Sequence, residues 1–129
     1  PGDEDLYRIP IYKVVPSELM KLAYNINNTY LKDISDTDNK KLYVLAKIHY
    51  EFIRIHPFSD GNGRIARAIT DQMAVYFDFP VAMAGYPRLD DKRRLNYHKA
   101  IRSCIEDPEC TDLANWIKGY IDERLKTLA

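Results

Sequence analysis

The sequence predicts an all-α domain with one small β element near its start. Three observations predict it. Apolar residues recur at helical spacing through most of the chain. The breaks between these runs carry Pro, Gly, Asp and Asn. Only residues 6–15 read otherwise, as β-branched and aromatic residues around a proline.

The β element is Tyr-Arg-Ile-Pro-Ile-Tyr-Lys-Val-Val, in which Pro10 restricts the run to an edge strand or hairpin arm and Pro16 closes it. A first helix is expected from about Ser17 to Leu31, with Leu19, Leu22, Ala23, Ile26 and Tyr30 on one face. A polar loop at 33–39 follows. A second helix is expected from Lys40 to Ile55, with Leu42, Leu45, Ala46, His49, Phe52 and Ile53 on its core face. Pro57 ends it by pushing His56 out of the right-handed helical region. Gly61, Asn62 and Gly63 make a tight turn. A third helix opens there, with Ile65, Ala68, Ile69, Met73 and Tyr76 as its apolar positions and Phe79-Pro80 as its end. Residues 81–90, with Gly85 and Pro87, are irregular. A fourth helix is expected over 91–106, presenting Leu95, Ala100 and Ile101. A last helix starts with Thr111 as N-cap and buries Leu113, Trp116, Ile117, Tyr120, Ile121 and Leu125.

Length and composition narrow the possibilities. The chain has 129 residues, 46% of them hydrophobic, which fits one domain with a real core over residues 1–129. Nineteen basic and nineteen acidic residues cancel, so no global field favours nucleic acid or an anionic membrane. Lys92-Arg93-Arg94 lacks aromatic interleaving and reads as a solvated helix start. No apolar run approaches the roughly 18 residues of a membrane span. No secretory signal is visible at Pro1–Asp5, so a cytoplasmic setting is expected. Cys104 and Cys110 match no zinc spacing and read as reduced thiols. Without a secretory signal, the sequon Asn27-Asn28-Thr29 reads as polar helix surface.

The chemistry concentrates within residues 40–77, in the loop joining the second and third helices. His56 sits where a helix is forced to end, so its imidazole projects from the tip. Phe58 is apolar and is expected to anchor the loop into the core. Asp60 is a lone carboxylate ahead of a glycine turn. Gly61-Asn62-Gly63 lets successive amides point one way, and the third helix adds its positive end. Arg64 and Arg67 lie three apart on one face of that helix. One loop thus supplies a base, a metal-ready carboxylate, an amide nest and two guanidinium groups. A nucleoside triphosphate with Mg²⁺ uses all of them. An EF-hand loop is excluded because a cation, Arg64, stands at the third ligand position; no Walker A pattern is present. His49, on an apolar face, reads as a packed, hydrogen-bonded histidine.

This segment resembles the signature of Fic domains, His-x-Phe-x-Asp/Glu-Gly-Asn-Gly-Arg-x-x-Arg. His56, Phe58, Asp60, Gly61, Asn62, Gly63, Arg64 and Arg67 match every fixed position. The related Doc kinases carry Ala-Asn-Lys-Arg in place of Gly-Asn-Gly-Arg, and this chain does not. The resemblance implies a protein adenylyltransferase. His56 would be the base for a Ser, Thr or Tyr hydroxyl of a target protein. Asp60 would hold Mg²⁺ (or Mn²⁺) bridging the α- and β-phosphates of ATP, the co-substrate. The amides of Gly61, Asn62 and Gly63 would cradle the phosphates, Arg64 would support the phosphate chain and Arg67 the γ-phosphate. AMP would pass to the target with release of pyrophosphate. Phe58 would be structural.

The resemblance also makes residues 6–15 a flap that docks the target by strand addition, through Ile11, Tyr12, Lys13 and Val14. Asn96 and Tyr97 occupy the place where the family lines its base pocket. For Tyr97, core packing is an equal reading. The family's inhibitory motif, Ser/Thr-x-x-x-Glu-Gly/Asn, has no match: Ser103 is followed by Asp107 and Pro108. Such a glutamate would come from residues before Pro1 or from an antitoxin-like partner, or be lacking. Two other functions share these residues: transfer of UMP, GMP or phosphocholine by the same loop, and a non-catalytic protein-binding module.

Overall fold

A helix with apolar residues on every side has to be surrounded by the rest of the molecule, and residues 38–55 form such a helix. The computed structural model describes residues 14–31, 37–83 and 91–128. Its elements are α1 (Val15–Asn25), α2 (Asp38–Ile55), α3 (Asn62–Tyr76), α4 (Asp91–Ser103) and α5 (Thr111–Leu128). Among the described residues there is no strand, and the fold is all-α. No described helix is long and apolar enough to cross a membrane.

α2 is the central element. Beyond the predicted face, it also buries Val44, Ile48, Tyr50 and Ile55. α1, α3 and α5 pack around it, and α4 packs on α5. Leu45, Ile48 and Ile55 from α2 meet Ile101 from α4 and Leu113 and Ile117 from α5 in the interior. The predicted second-helix face was therefore too narrow. A helix buried all round shows no clean amphipathic period.

α1 corrects the N-terminal boundary. Ile11, Tyr12 and Lys13, and with them most of the expected flap, lie outside the described residues. Val14 is not in a strand: it caps α1 in a helical conformation, with φ −98° and ψ −1°. Pro16 falls in the first turn, where its fixed φ suits the helix and its missing N–H costs nothing. It starts a helix where a strand end was expected. Val15, Leu19, Leu22 and Ile26 turn toward the core. A π-helical turn over Ile26–Tyr30 then brings Tyr30 and Leu31 onto the same face, closed by the Leu31 amide on the Ile26 carbonyl at 3.1 Å. Arg54 of α2 donates to Glu18 of α1 and to Glu51, both at 3.0 Å, and so fastens α1 to α2.

α3 lies against α2 through small and polar side chains. The buried positions are Asn62, Ala66, Thr70 and Ala74, each four residues from the last, with Asp71 beside them. Of the predicted apolar positions, Ile65, Ile69 and Met73 are only half-buried, Ala68 is exposed, and Tyr76 is 67% exposed. The bulk of α2 fills the space between the two helices, so the facing residues of α3 have to be short. α3 ends by a left-handed residue, Asp78 (φ 65°), with the Phe79 amide on the Ala74 carbonyl (2.8 Å) and the Asp78 amide on the Val75 carbonyl (3.0 Å). The chain thus leaves the helix ahead of Phe79-Pro80. Buried Asp71 then accepts from the Ala82 and Met83 amides, at 3.1 and 2.7 Å, and pins the returning segment to α3.

Two helix details differ near the C-terminus. Leu95 is 55% exposed, and Tyr97 takes its place in the core beside Ala100 and Ile101. Thr111 is not the capping residue of α5. Cys110 takes a left-handed φ of 52°, and the Asp107 carboxylate accepts from the Glu109 and Thr111 amides at 3.1 and 3.0 Å. Those amides hold the Asp107 carboxyl below its ordinary range, the Thr111 amide most of all. Leu113, Ile117 and Ile121 are buried as expected, Trp116 and Tyr120 partly so, and Leu125 is exposed. Cys104 and Cys110 are buried thiols with no bridge. Arg93 pairs with Glu123 at 3.4 Å and Arg94 with Asp91 at 3.7 Å, as befits a solvated helix start.

Ala66 has no exposed surface at the α2–α3 contact. Ala66→Leu is expected to lower stability by about 1–3 kcal/mol through overpacking, read from the urea midpoint. The exposed neighbour change Ala68→Leu is expected to shift it by less than about 0.5 kcal/mol.

Candidate functional site

The loop between α2 and α3 is fixed at both ends and gripped in the middle. At its start, His56 takes the left-handed conformation, φ 53° and ψ 58°, and its amide closes α2 on the Phe52 carbonyl at 3.1 Å. Helix ends usually give this position to glycine. A residue with a Cβ is strained there by about 1–2 kcal/mol. Pro57 follows at once and excludes the right-handed alternative. The imidazole is half-buried, and its Nδ1 is buried with no hydrogen-bond partner among the described residues.

Asn62 provides the grip. Its carboxamide nitrogen donates to the Phe58 carbonyl at 2.7 Å, and its oxygen accepts from the Phe58 amide at 3.0 Å. One buried side chain thus satisfies both backbone groups of the same residue. The phenyl ring of Phe58 is 52% exposed, so the expected anchoring through that ring is not what holds the loop. With its backbone held inward by Asn62, residue 58 presents its side chain to solvent.

At the far end Gly61 caps α3 with φ 81°, and no side chain caps the first turn. The leading amides of α3 therefore remain available at the positive end of the helix. Both arginines fold back over this turn. A Cβ on Gly61 would lie 3.2 Å from Nη2 of Arg64, and a Cβ on Gly63 would lie 3.1 Å from Nη1 of Arg67. The two glycines make the room in which the guanidinium groups lie. No acidic residue stands in the first turn of α3. Asp60 is 3.8 Å from Arg64 with its carboxylate 94% exposed, a weak solvated pair. A helix end with two guanidinium groups, one beside Gly61 and one beside Gly63, is an arrangement suited to an anion.

The Fic/DOC family matches residues 6–74, more than half of the chain. The chain belongs to this family. It is 43% identical over 42 residues to a protein adenylyltransferase Fic of Aedes aegypti, and equally to one of Culex quinquefasciatus, a stretch that is 33% of this chain and 7% of each mosquito protein. It is 27% identical over 78 residues to a Fido domain-containing protein of Dictyostelium discoideum, covering 60% of this chain and 54% of that protein. The chain therefore spans a small part of the mosquito proteins and about half of the amoebal one. No solved structure matches it.

Behind the family motif lies a polar cluster that the motif does not contain. His49 of α2 is fully buried, as its apolar face predicted. The Thr70 hydroxyl donates to the Ala66 carbonyl at 2.8 Å, so its oxygen accepts from Nδ1–H of His49, also at 2.8 Å. Nε2 is then the acceptor for the Tyr97 hydroxyl at 2.5 Å. Burial first, and the charge of Arg67 second, push the imidazole down to about 3, so it is neutral. The Tyr97 ring is 2% exposed and lies against Trp116, while Asn96 is exposed. Sequence reasoning gave Thr70 and Asp71 no role. Both are polar residues on a helix face that faces the core, and that alternation was the available signal.

Asn62→Ala leaves the Phe58 amide and carbonyl without their partner and is expected to cost about 1–3 kcal/mol by denaturant unfolding. Asn62→Asp is expected to cost at least as much, because it sets a carboxylate oxygen against the Phe58 carbonyl. His49 gives a pH dependence whose sign is fixed. Below about 6.5 the unfolded chain binds a proton that the folded chain refuses, so stability is full above that pH and falls as the pH drops toward 3. The slope from this residue is about 1.4 kcal/mol per pH unit at most. Urea titrations of wild type and His49→Gln should diverge over that window; parallel curves would remove His49 as the cause.

Proposed function

We propose that this chain transfers AMP from ATP to a Ser, Thr or Tyr hydroxyl of a protein. The observation that carries the reading is the pair of guanidinium groups folded over the glycine-opened first turn of α3, with His56 held at the opposite end of the same short loop. The family and the adenylyltransferase relatives support the chemistry.

In this reading the amides of Gly61, Asn62 and Gly63 and the side chain of Arg64 bind the phosphate chain, and Arg67 binds the γ-phosphate. Among the described residues no cluster of three or more His, Cys, Asp or Glu is built to hold a metal ion. The single exposed carboxylate of Asp60 suits Mg²⁺ (or Mn²⁺), which keeps most of its shell as water and phosphate oxygen. Bound there, the ion would neutralise charge between the α- and β-phosphates. His56 takes the proton of the target hydroxyl as its oxygen bonds the α-phosphorus. The bond from that phosphorus to the bridging oxygen breaks, and pyrophosphate leaves with the electron pair. A positioned base of this kind contributes roughly 10²–10⁴-fold in rate. The flap residues Ile11, Tyr12 and Lys13 are proposed to dock the target and Asn96 to lie toward the base, whereas Val14 caps α1 and Tyr97 belongs to the core against His49 and Trp116. The two unbridged thiols suit a reducing cytoplasm.

The loop reads phosphates and not the base, so donors carrying UMP, GMP or phosphocholine remain the competing reading. The expected result is protein labelling from ATP tagged at its α-phosphate, lowered at least about 100-fold in His56→Ala. Unlabelled UTP, GTP and CDP-choline should compete poorly. Labelling only from γ-tagged ATP would make the chain a kinase. A melting temperature unmoved by every nucleotide would leave a non-catalytic binding module.

A further inference from the structure

Arg67 lies between two helices. On one side its Nη1 lies against the first turn of α3, where a Cβ on Gly63 would stand 3.1 Å from it. On the other, its Cζ stands over the Tyr97 ring of α4, 5.7 Å from the ring centroid. That ring is held on several sides. Its hydroxyl donates to Nε2 of His49. The His49 ring meets it edge-on at 5.5 Å and 77°. The Trp116 ring of α5 lies 4.6 Å away, tilted by 32°. His49 is itself oriented by Thr70, one turn along α3 from Arg67. The charge of Arg67 also disfavours protonation of the buried imidazole, after burial itself.

We propose that Tyr97 is a positioning residue for Arg67. Its ring, locked by His49 and Trp116, is the surface on which the guanidinium rests while it faces the end of the phosphate chain. An arginine side chain is long and samples many rotamers. An aromatic face attracts the cation and removes most of that freedom before the ligand arrives. The consequence is selective. Tyr97 governs how strongly a nucleotide with a γ-phosphate is preferred over one that ends at the β-phosphate. This rests on the reading of Arg67 as the γ-phosphate ligand.

The test is the ratio of ADP to ATP dissociation constants, measured with Mg²⁺ by calorimetry on folded wild type, Arg67→Ala, Tyr97→Leu and Tyr97→Phe. A purely structural tyrosine would weaken both nucleotides together and leave the ratio alone. Arg67→Ala is expected to abolish the preference for ATP. Tyr97→Leu is expected to cut it about fivefold. Tyr97→Phe keeps the aromatic face and is expected to restore most of it, at a lower melting temperature because Nε2 of His49 loses its donor. A second measurement needs no variant to fold. In wild type the Arg67 side-chain NεH resonance should carry a ring-current shift and should move on addition of ATP but not ADP. If Arg67→Ala abolishes the preference while Tyr97→Leu keeps it, or if that resonance carries no ring-current shift, the inference fails alone. If wild type shows no preference for ATP, or Arg67→Ala retains one, the reading of Arg67 fails and the inference falls with it.

Discussion

The buried imidazole of His49 ties the structure together. It sits on the one helix that the others surround, and each of its nitrogens reaches a different neighbour: Thr70 on α3 through Nδ1 and Tyr97 on α4 through Nε2. The direction of every bond follows from one fact. The Thr70 hydroxyl has a single proton, and it goes to the Ala66 carbonyl. The imidazole therefore has one tautomer and one charge state. A protonated ring would need an acceptor where Tyr97 now donates. It would also carry a buried charge beside Arg67, and burial makes that charge costly. Three helices are thus locked by directional contacts in addition to apolar packing, which alone tolerates sliding by fractions of an ångström.

The lock acts along α3. Residues 62, 66, 70 and 74 form the stripe that meets α2, and all four are small or polar enough to let the backbones approach. Thr70 fixes the rotation of that stripe through His49. Two turns earlier, at the same rotation, Asn62 points inward and closes on the backbone of Phe58. The same helix rotation that satisfies the interior therefore sets the loop. Arg64 and Arg67 lie off the stripe and fold over the glycine positions. The arginine-covered N-terminal end of α3 is a consequence of how the rest of α3 is packed.

The sequence made the motif legible because its chemistry is local: a proline that stops a helix, glycines that permit a left-handed cap, and arginines three apart. It made the five helices legible because four of them keep some apolar period. Their faces were less legible. α2 is buried all round and so overflows its predicted face. α3 meets α2 through Asn62, Ala66, Thr70 and Ala74, residues that no hydrophobicity pattern marks. Its branched residues Ile65 and Ile69 cover the contact from the sides. The anchoring part expected of Phe58 falls to Asn62 for a related reason. An apolar residue in a loop looks like an anchor, but a carboxamide that pairs with an amide and a carbonyl at once holds a backbone more firmly than a ring with few neighbours. Pro16 was ambiguous in principle: proline ends strands and starts helices, and only the apolar spacing of Val15, Leu19, Leu22 and Ile26 decides between them.

His56 is the exception to this fixed arrangement. It has a Cβ in a conformation that favours glycine, and its Nδ1 is buried without a partner among the described residues. Either feature alone would be eased by substitution, so the fold gains nothing from a histidine here. Strain of this size persists only where the surroundings over-determine the backbone, and here they do: Pro57 on one side, the end of α2 on the other, Asn62 holding the next turn. An imidazole placed by such constraints is ordered before any ligand binds. The same holds for the guanidinium groups that lie ready over α3. Groups oriented in advance lower a barrier without the reorganisation that water would require, and that is the advantage the proposed transfer reaction would draw from this loop. The packing behind the loop, centred on one neutral histidine, therefore sets where these groups stand.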